Sequence, residues 1–526
     1  MIKSVAFYPE YLAYERWPEN FQKMKDCGIT SIRFGEFAWG LIEPLENVFD
    51  WEVFDKAFDM AAEYGIQVIL GTPTACPPIW LCEKYPDALP VNEYGALVDF
   101  GGRQHRCYNS PILNERMEVV VTALAERYGK RENLLAWQID NELAAEHKYC
   151  YCDYCQSLFQ DFLEDKYETI EALNERWLTT FWAQNYSNFA EIPVPYAIEP
   201  YLTLKHHPSL MYEFLHFCSE STKGFCDRQY DIIKCYSDAP VTTNQDDFSM
   251  GDNTDWYRIF ERLDFAGFDV YTTKLYELAF YFDFCRSVKN KPFWLMEYGS
   301  GFHCLPEVLD TAYEYQCEGI GLFKFNPFPA GQEQGTKELV DQLGRIRPNY
   351  TVYKSWTPKD FTPKKKVLLH YDFFSSWAYN VAEYRTWESG FQQKQSRLVY
   401  QRYMVQTVYK AVYESGLQAN VVKSLGDGDG QLLLMPMRII HDEGFETELL
   451  NFIKTGGQVV TTGDLFLKNG DNAFLEYLPL FFREVFGEDS GFMEDITEPV
   501  AASYGKGKIT FVPASLDEEG WKAYLK

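Results

Sequence analysis

Two glutamates follow apolar runs of the same form. The run Leu134–Ile139 leads into a polar trio that ends with Asn141 and Glu142, and the run Pro292–Met296 leads directly into Glu297. An apolar run that stops at polar residues is typical of a buried strand that carries side chains to an active-site rim. Two carboxyl groups in one cleft can hydrolyse a glycosidic bond, since one protonates the leaving oxygen and the other attacks or stabilises the anomeric carbon. The alternative is structural, because a Glu at a strand end can also cap a helix or pair with an Arg.

The elements that must position these glutamates alternate regularly over the first two thirds of the chain. Apolar runs predict eight strands, at Val5–Tyr8, Ser31–Phe34, Gln67–Gly71, Leu134–Ile139, Val241–Asn244, Phe265–Tyr271, Pro292–Glu297 and Gly319–Phe325. Helical patterns predict helices at Asn20–Cys27, Trp51–Tyr64, Asn114–Tyr128, Gln156–Tyr167, Met211–Tyr236, Trp256–Arg262 and Thr336–Leu343. This alternation predicts a (β/α)8 TIM barrel over residues 1–350, with Glu142 and Glu297 at the carboxyl ends of strands four and seven.

The sequence changes character after residue 350. Residues 351–366 contain prolines, a lysine triplet and no periodicity, which predicts a linker. Residues 367–495 alternate strands and helices again and predict a flavodoxin-like (amidotransferase-like) α/β domain, followed by a short C-terminal β segment at 496–526. No cysteine follows Cys317, so the nucleophile of amidotransferase chemistry is missing. We therefore expect a structural or oligomerising role for this domain.

Bulk composition excludes some classes of function. The net charge of −28 argues against nucleic-acid binding, because phosphates need lysine and arginine. Aromatic residues make up 17% of the 526 residues, which fits either core packing or sugar-stacking surfaces around a cleft. The N-terminus lacks an apolar segment of signal-peptide length, and no run approaches the roughly 20 residues needed to span a bilayer. We expect a cytoplasmic protein without a membrane partner.

Three cysteines, Cys150, Cys152 and Cys155, lie within six residues. With a fourth thiolate, they predict a tetrahedral zinc site of the closed, structural type. Four thiolates leave no open position for water or substrate, so a catalytic zinc is not expected. The alternative is a group of reduced thiols without a metal.

Longer motifs carry a specific resemblance. The stretches Phe34-Gly-Glu-Phe-Ala-Trp39, Leu70–Leu81, Gly102–Ser110 and Trp137–Glu142 resemble glycoside hydrolase family 42, the retaining β-galactosidases. The match runs from the first strand to the eighth and continues more weakly through the second domain. The resemblance implies an exo-acting β-glycosidase that works by double displacement without a catalytic cofactor and assembles as a homotrimer.

The resemblance also implies roles for individual residues. Glu142 would be the acid/base and Glu297 the nucleophile. Sugar contacts in the −1 subsite would come from Arg103, Asn141, Tyr271 and Glu333, with Arg33, Glu36 and Trp182 lining or supporting that subsite. The resemblance nominates Cys107 as the fourth zinc ligand.

The chain departs from the family's pattern at positions that hold the far side of the sugar. Thr336 stands where a His is usual, the loop after Glu297 reads Phe302-His-Cys-Leu305 without the usual Trp, and Lys324-Phe-Asn326 replaces Arg-Trp-Arg. Within this loop, His303 is a candidate sugar contact. Besides terminal β-D-galactosides, the candidate substrates therefore include α-L-arabinopyranosides, β-D-fucosides and β-mannosides. A non-catalytic carbohydrate-binding barrel is the alternative class of function.

A retaining mechanism sets the distance between the two carboxyl groups at about 5–5.5 Å. Burial and the charge of Glu297 are expected to raise the pKa of Glu142, so that this residue starts the reaction protonated.

Overall fold

The structure is a computed structural model that describes residues 1–196, 206–246, 254–289, 292–330, 337–381, 399–426, 428, 430–493 and 496–526. The chain divides into two compact units. The first comprises Met1–Tyr154 and Cys218–Thr362, and the second comprises Cys155–Phe217 and Pro363–Lys526. The helices Asp153–Tyr167 and Pro208–Tyr236 each contain one of the points of division.

The first unit is built on a nine-stranded parallel sheet. Its strands are β1 (Ile2–Ala6), β2 (Ser31–Phe34), β3 (Gln67–Gly71), β4 (Leu134–Gln138), β5 (Val241–Thr242), β6 (Asn244–Gln245), β7 (Ala266–Asp269), β8 (Phe293–Gly299) and β9 (Gly319–Phe323). Their order is β5-β4-β3-β2-β1-β9-β8-β7-β6. Only Thr243 separates β5 from β6, so the two edges of the sheet are halves of one interrupted strand. The predicted (β/α)8 barrel is confirmed.

Helices follow the strands, and two of the longer ones, Leu275–Lys289 and Leu305–Glu314, are absent from the helices predicted from the sequence. In the first unit they span Trp17–Cys27, Trp39–Ile42, Glu52–Tyr64, Ile79–Lys84, Pro111–Tyr128, Trp256–Ile259, Leu275–Lys289, Leu305–Glu314 and Pro348–Ser355. The helix Glu52–Tyr64 ends at Gly65, whose φ of 71° is a left-handed conformation that glycine adopts at little cost. Among the described residues no helix is both long enough and apolar enough to cross a membrane.

One predicted helix is wrong. In the described part of Thr336–Leu343, residues 337–343, the backbone is irregular, and Val340 pairs with Ile346 in an isolated bridge. The last helix of this unit is Pro348–Ser355 instead, which reaches into the stretch predicted as a linker. Proline needs no partner for a backbone N–H in the first turn, so Pro348 begins the helix here and does not interrupt one.

Small residues allow the strands of the barrel to approach large side chains. A Cβ atom on Gly319 would lie 2.4 Å from the ring of Trp294, and one on Gly321 would lie 2.2 Å from the backbone oxygen of Met296. Trp294 and Met296 belong to a buried cluster with Ile69, Ala136 and Phe265. Gly319 therefore makes room for the Trp294 ring, and Gly321 makes room for the backbone of β8 at Met296.

The second unit contains a six-stranded sheet of β10 (Lys366–His370), β11 (Gln418–Val422), β12 (Leu432–Met435), β13 (Gln458–Thr462), β14 (Val500–Tyr504) and β15 (Gly507–Val512). The order is β11-β10-β12-β13-β15-β14, and only β14 runs antiparallel to its neighbour. The five parallel strands therefore have the order 2-1-3-4-5, which is typical of the predicted flavodoxin-like domain. The fifth of them, β15, and its antiparallel partner β14 come from the predicted C-terminal β segment 496–526. Its helices span Ile170–Trp177, Phe373–Val381, Val399–Tyr403, Lys410–Glu414, Glu443–Thr455, Leu480–Phe486 and Glu518–Lys522, with a π-helical segment at Met404–Tyr409.

Candidate active site

The loop after β4 carries Glu142 in an unusual backbone conformation. Asp140, Glu142 and Ala144 have φ angles of 56°, 45° and 60°, a region that side-chain-bearing residues visit rarely. The buried side chain of Gln104 holds this loop through three hydrogen bonds. Its Nε2 donates to the backbone oxygens of Asn141 at 2.9 Å and Glu142 at 2.8 Å, and its Oε1 accepts from the backbone N–H of Glu146 at 3.0 Å.

Two further side chains from the same preceding loop hold the other side of this turn. Arg106 forms a buried ion pair with Asp140, which also accepts a hydrogen bond from Thr74. The hydroxyl of Tyr108 accepts the backbone N–H of Ala144 at 2.9 Å. Buried polar contacts such as these stabilise a strained loop, because breaking any one would leave a polar group without a partner.

Three carboxyl groups meet at the carboxyl ends of the strands. Oxygen atoms of Glu142, Asp269 and Glu297 all lie within 4.8 Å of one another, and the three residues are 7%, 1% and 5% exposed. Two unit charges about 4 Å apart repel each other by about 4 kcal/mol at an effective dielectric constant of about 20. Three simultaneous negative charges are therefore strongly disfavoured, and the protons of the group are shared unequally.

Glu142 is one member of the group that favours a proton near neutral pH. Burial, and then the charge of Glu297, raise its pKa from 4.5 to about 7, while Arg103 and Arg33 oppose the shift. Its Oε2 lies 2.9 Å from Nη2 of Arg103 and accepts a hydrogen bond from Nδ2 of Asn141 at 3.2 Å. The direction and causes of this pKa shift are those expected from the sequence.

Glu297, on β8, has different partners. Its Oε1 forms an ion pair with Arg33, and its Oε2 accepts a hydrogen bond from the hydroxyl of Tyr271. Arg33 is itself buried, and its guanidinium also contacts Glu36 at 3.2 Å and the hydroxyl of Tyr8 at 3.2 Å. Burial and the Glu297 charge raise the pKa of Tyr271, so this hydroxyl stays a hydrogen-bond donor.

Asn244 contacts the carboxylates of Asp269 and Glu297 and the backbone of Glu142. Its Nδ2 lies 2.9 Å from Oδ1 of Asn141, 2.6 Å from Oδ2 of Asp269 and 3.5 Å from Oε1 of Glu297. Its backbone oxygen and its Oδ1 both accept from the backbone N–H of Glu142, each at 3.1 Å. The side chain of Asn244 thus links the loop after β4 to Asp269 on β7 and Glu297 on β8 through polar contacts.

The structure brings together most of the residues singled out in the sequence. Glu142, Glu297, Arg103, Asn141 and Tyr271 share one group of contacts, and Arg33 and Glu36 are buried beside Glu297. Glu333 lies outside the described residues, His303 is exposed, and Trp182 belongs to the second unit, where it is 64% exposed.

The sequence reasoning missed Asn244, Asp269 and Gln104. Asp269 ends β7, and Asn244 follows β5 and Thr243, so each comes after an apolar or β-branched stretch, which is the signal that singled out Glu142. Gln104 carries no such signal, because its role depends on the fold of two loops.

The four predicted cysteines form a cluster. The Sγ atoms of Cys107, Cys150, Cys152 and Cys155 lie within 4.8 Å of one another, and those of Cys107 and Cys152 are 3.7 Å apart. In a tetrahedron with Zn–S bonds of about 2.3 Å, neighbouring sulfur atoms are about 3.8 Å apart. The donor set and its spacing therefore fit a tetrahedral metal ion.

The parallel barrel, with paired carboxyl groups at the carboxyl ends of its strands, has the architecture of a glycoside hydrolase. Residues 6–313 match the β-galactosidase family Glyco_hydro_42. The chain belongs to glycoside hydrolase family 42 and is a glycoside hydrolase.

Curated relatives agree with this assignment, and a solved structure shares the fold. β-Galactosidase BgaA of Clostridium cellulovorans is 30% identical over 518 residues, which cover 92% of this chain and 75% of the relative. A β-galactosidase of Thermus thermophilus is 37% identical over 322 residues, 56% of this chain but only 48% of that relative, so the matched region is about half of that enzyme. The β-galactosidase from the haloarchaeon Halorubrum lacusprofundi shares the fold, with a TM-score of 0.88 at 23% identity over 100% of this chain and 88% of that one.

Proposed function

We propose that this protein is a retaining exo-β-glycosidase that hydrolyses terminal β-D-galactosides by double displacement. The observation that carries the proposal is the short distance between Glu142 and Glu297, whose carboxyl oxygens approach within 4.8 Å. Inverting glycosidases separate their carboxyl groups by about 6.5–9.5 Å to admit a water molecule, whereas retaining enzymes keep them at about 5–5.5 Å. The spacing here supports direct attack by one carboxylate.

The two glutamates would act in sequence. In the first step, the carboxylate of Glu297 attacks the anomeric carbon while protonated Glu142 transfers its proton to the leaving oxygen, which gives a covalent glycosyl-enzyme. In the second step, Glu142, now ionised, takes a proton from water, and the resulting hydroxide oxygen displaces Glu297 from the sugar. The raised pKa of Glu142, about 7, supports this double role because the group can both give and take a proton near neutral pH.

Three side chains beside the two glutamates would line the −1 subsite. Asn141 lies beside Glu142, and its amide could hydrogen-bond the hydroxyl next to the reacting carbon, where positive charge develops. Tyr271 would hold Glu297 in the orientation for attack, and Arg103 would contact the sugar from the side of Glu142. Glu333, a further proposed sugar contact, lies outside the described residues.

Two variants and one small nucleophile test the assignment of roles. With Glu142→Ala, azide should attack the glycosyl-enzyme in place of water and give a β-glycosyl azide from an activated nitrophenyl substrate. With Glu297→Ala, azide should attack the substrate directly from the opposite face and give the α-azide. The stereochemistry of each product is read by proton NMR, and the reverse pairing would exchange the roles of the two residues.

The β-galactoside specificity is supported by the names of the relatives, which are β-galactosidases. The test is a comparison of kcat/KM for nitrophenyl β-D-galactoside, α-L-arabinopyranoside, β-D-fucoside and β-D-mannoside. The galactoside should have the highest value. A higher value for another sugar would change the substrate and leave the chemistry intact, while binding of sugars without any hydrolysis would indicate a carbohydrate-binding barrel.

We also propose that the four-cysteine cluster holds a structural zinc ion. Cys107, Cys150, Cys152 and Cys155 would supply four thiolates, so the ion would have no open position for water and would contribute stability only. By resemblance to the family, we also propose that the protein is cytoplasmic and forms a homotrimer. Light scattering coupled to size-exclusion chromatography tests the oligomeric state.

A further inference from the structure

The third carboxyl group of the site has no role in the two-glutamate mechanism. Asp269 lies at the end of β7 and is 1% exposed. Its Oδ2 accepts a hydrogen bond from Nδ2 of Asn244 at 2.6 Å, and its Oδ1 has no hydrogen-bond partner among the described residues. A buried carboxylate with one oxygen left bare is costly, whereas a neutral carboxylic acid tolerates that surrounding far better.

The charges around Asp269 also favour its neutral form. The charged and titratable groups that face it are Glu297 on β8, Glu142 after β4, Arg33 on β2 and the hydroxyl of Tyr271. Arg33 is already paired with Glu297 and Glu36. The other guanidinium of the site, that of Arg103, is paired with Glu142 and Glu146. Among the described residues no cation is left for Asp269.

The hydrogen bonds of Asn244 show which groups Asp269 can orient. An amide nitrogen carries two hydrogens, and the two shortest contacts of Nδ2 are to Asp269 and Asn141. These contacts fix which end of the Asn244 side chain is nitrogen. The opposite end, Oδ1, then accepts the backbone N–H of Glu142.

We propose that Asp269 is a positioning residue that works as a neutral carboxylic acid, orienting Asn244 and through it the Asn141 side chain and the Glu142 backbone. This inference rests on the proposed function, since it concerns the same two glutamates. Burial, and then the charges of Glu297 and Glu142, raise the pKa of Asp269, which agrees with a proton held by this group. A neutral Asp269 also leaves Glu297 as the negative charge available for attack.

The substitutions Asp269→Asn and Asp269→Ala separate this role from an ionised one. Asparagine keeps an oxygen acceptor for Asn244 and carries no charge, so it copies the neutral acid, whereas alanine removes the acceptor. We expect kcat of Asp269→Asn to stay within about threefold of the unmodified enzyme with an unchanged alkaline limb, and kcat of Asp269→Ala to fall about 100-fold. Equal losses in both variants, or an alkaline limb displaced to lower pH in Asp269→Asn, would overturn the inference. If Asp269→Ala does not fold, Asp269→Leu tests the same loss of the acceptor with better packing.

Infrared difference spectroscopy of the unmodified chain against Asp269→Asn at pH 7 gives a readout that needs no turnover. A carboxylic-acid carbonyl band lost in the variant supports the neutral form, and loss of carboxylate bands alone contradicts it. The matched control is Asp372→Asn. Burial raises the pKa of Asp372, but the charge of Arg438, together with His370 and the hydrogen bonds from Ser375, outweighs this effect, so the pKa is lowered and no acid band is expected. Because the band does not depend on catalysis, an inactive unmodified chain would contradict the proposed function and still leave this test of Asp269 decisive.

Discussion

The guanidinium of Arg103 lies 2.9 Å from the carboxylate of Glu142, and its Nε lies 2.6 Å from Glu146. The pKa of Glu142, about 7, is therefore a balance in which burial and Glu297 raise the value and Arg103 lowers it. In the proposed mechanism the enzyme is active while Glu142 is protonated, so this pKa sets the alkaline limb of the pH–rate profile.

Removal of the Arg103 charge should move that limb. With Arg103→Gln the pKa of Glu142 should rise, and the alkaline limb of kcat/KM should shift upward by about 1 pH unit, whatever the loss in absolute rate. The measurement is a pH profile with a nitrophenyl glycoside. Arg131→Gln is the control, because Arg131 pairs with Asp59 before β4, at the opposite end of the barrel. If the alkaline limb moves equally in both variants, or in neither, Arg103 does not lower the pKa of Glu142 as described.

The raised pKa of Glu142 also makes a prediction about stability. The folded form holds a proton up to pH about 7, whereas the unfolded chain releases it near 4.5. Protonated Glu142 therefore makes its full contribution to the free energy of unfolding below pH 4.5. This contribution is lost as the pH rises through about 7, above which the buried charge costs up to about 3 kcal/mol. Glu142→Gln should therefore increase the free energy of unfolding at pH 8 by up to that amount and leave it nearly unchanged at pH 4.5.

Denaturant unfolding of both proteins at the two pH values provides the measurement. The pH dependence of the difference is the informative quantity, since a simple packing effect of the amide would be the same at pH 4.5 and pH 8. A difference that is independent of pH would contradict the raised pKa.

The loop that presents Glu142 depends on Gln104. Gln104→Ala removes three hydrogen bonds from a loop with three left-handed residues, so the free energy of unfolding should fall by about 1–3 kcal/mol and kcat should fall with it. The matched control is Gln22→Ala on the helix Trp17–Cys27, an exposed side chain with a single hydrogen bond to Asp26. Thermal melting and kcat of the two variants make the comparison. Unchanged kcat in Gln104→Ala would show that the loop keeps its shape without this side chain.

The cysteine cluster gives a prediction about metal content. The purified protein should contain about one zinc ion per chain, and Cys107→Ser should lose it and melt at a lower temperature, because one of four thiolates is missing. Cys235→Ser, an exposed cysteine outside the cluster, should keep both the zinc and the melting temperature. Elemental analysis and thermal melting decide the question, and a full-length protein without zinc that melts like the zinc-loaded one would contradict it.

The barrel, the flavodoxin-like class of the second domain and the positions of Glu142 and Glu297 were accessible from the sequence, because buried parallel strands are short apolar runs that end at polar residues. Asn244 and Asp269 carry the same signal more weakly, because the strands that lead to them are short: β5 has two residues and β7 has four. The helix predicted at Thr336–Leu343 failed in its described part. Its apolar spacing there reflects Leu339 and Val340 packing into the core from an irregular loop.

The partners of Gln104 could not be predicted in the same way. Its three hydrogen bonds run to backbone groups of a second loop about 40 positions later, and no periodicity links a side chain to distant backbone atoms. The charge balance of the site could not be predicted from the sequence either, because it depends on distances between residues of four strands.

Three side chains within five residues, Gln104, Arg106 and Tyr108, contact the loop that carries Glu142 and hold it in place. The shape of that loop is thus encoded largely in a different segment of the chain. Anyone who exchanges parts between relatives to alter substrate preference should therefore transplant 103–108 and 139–146 as one paired cassette. A chimaera that takes only one of these two segments should fold its barrel but hold the carboxyl group of Glu142 in the wrong orientation.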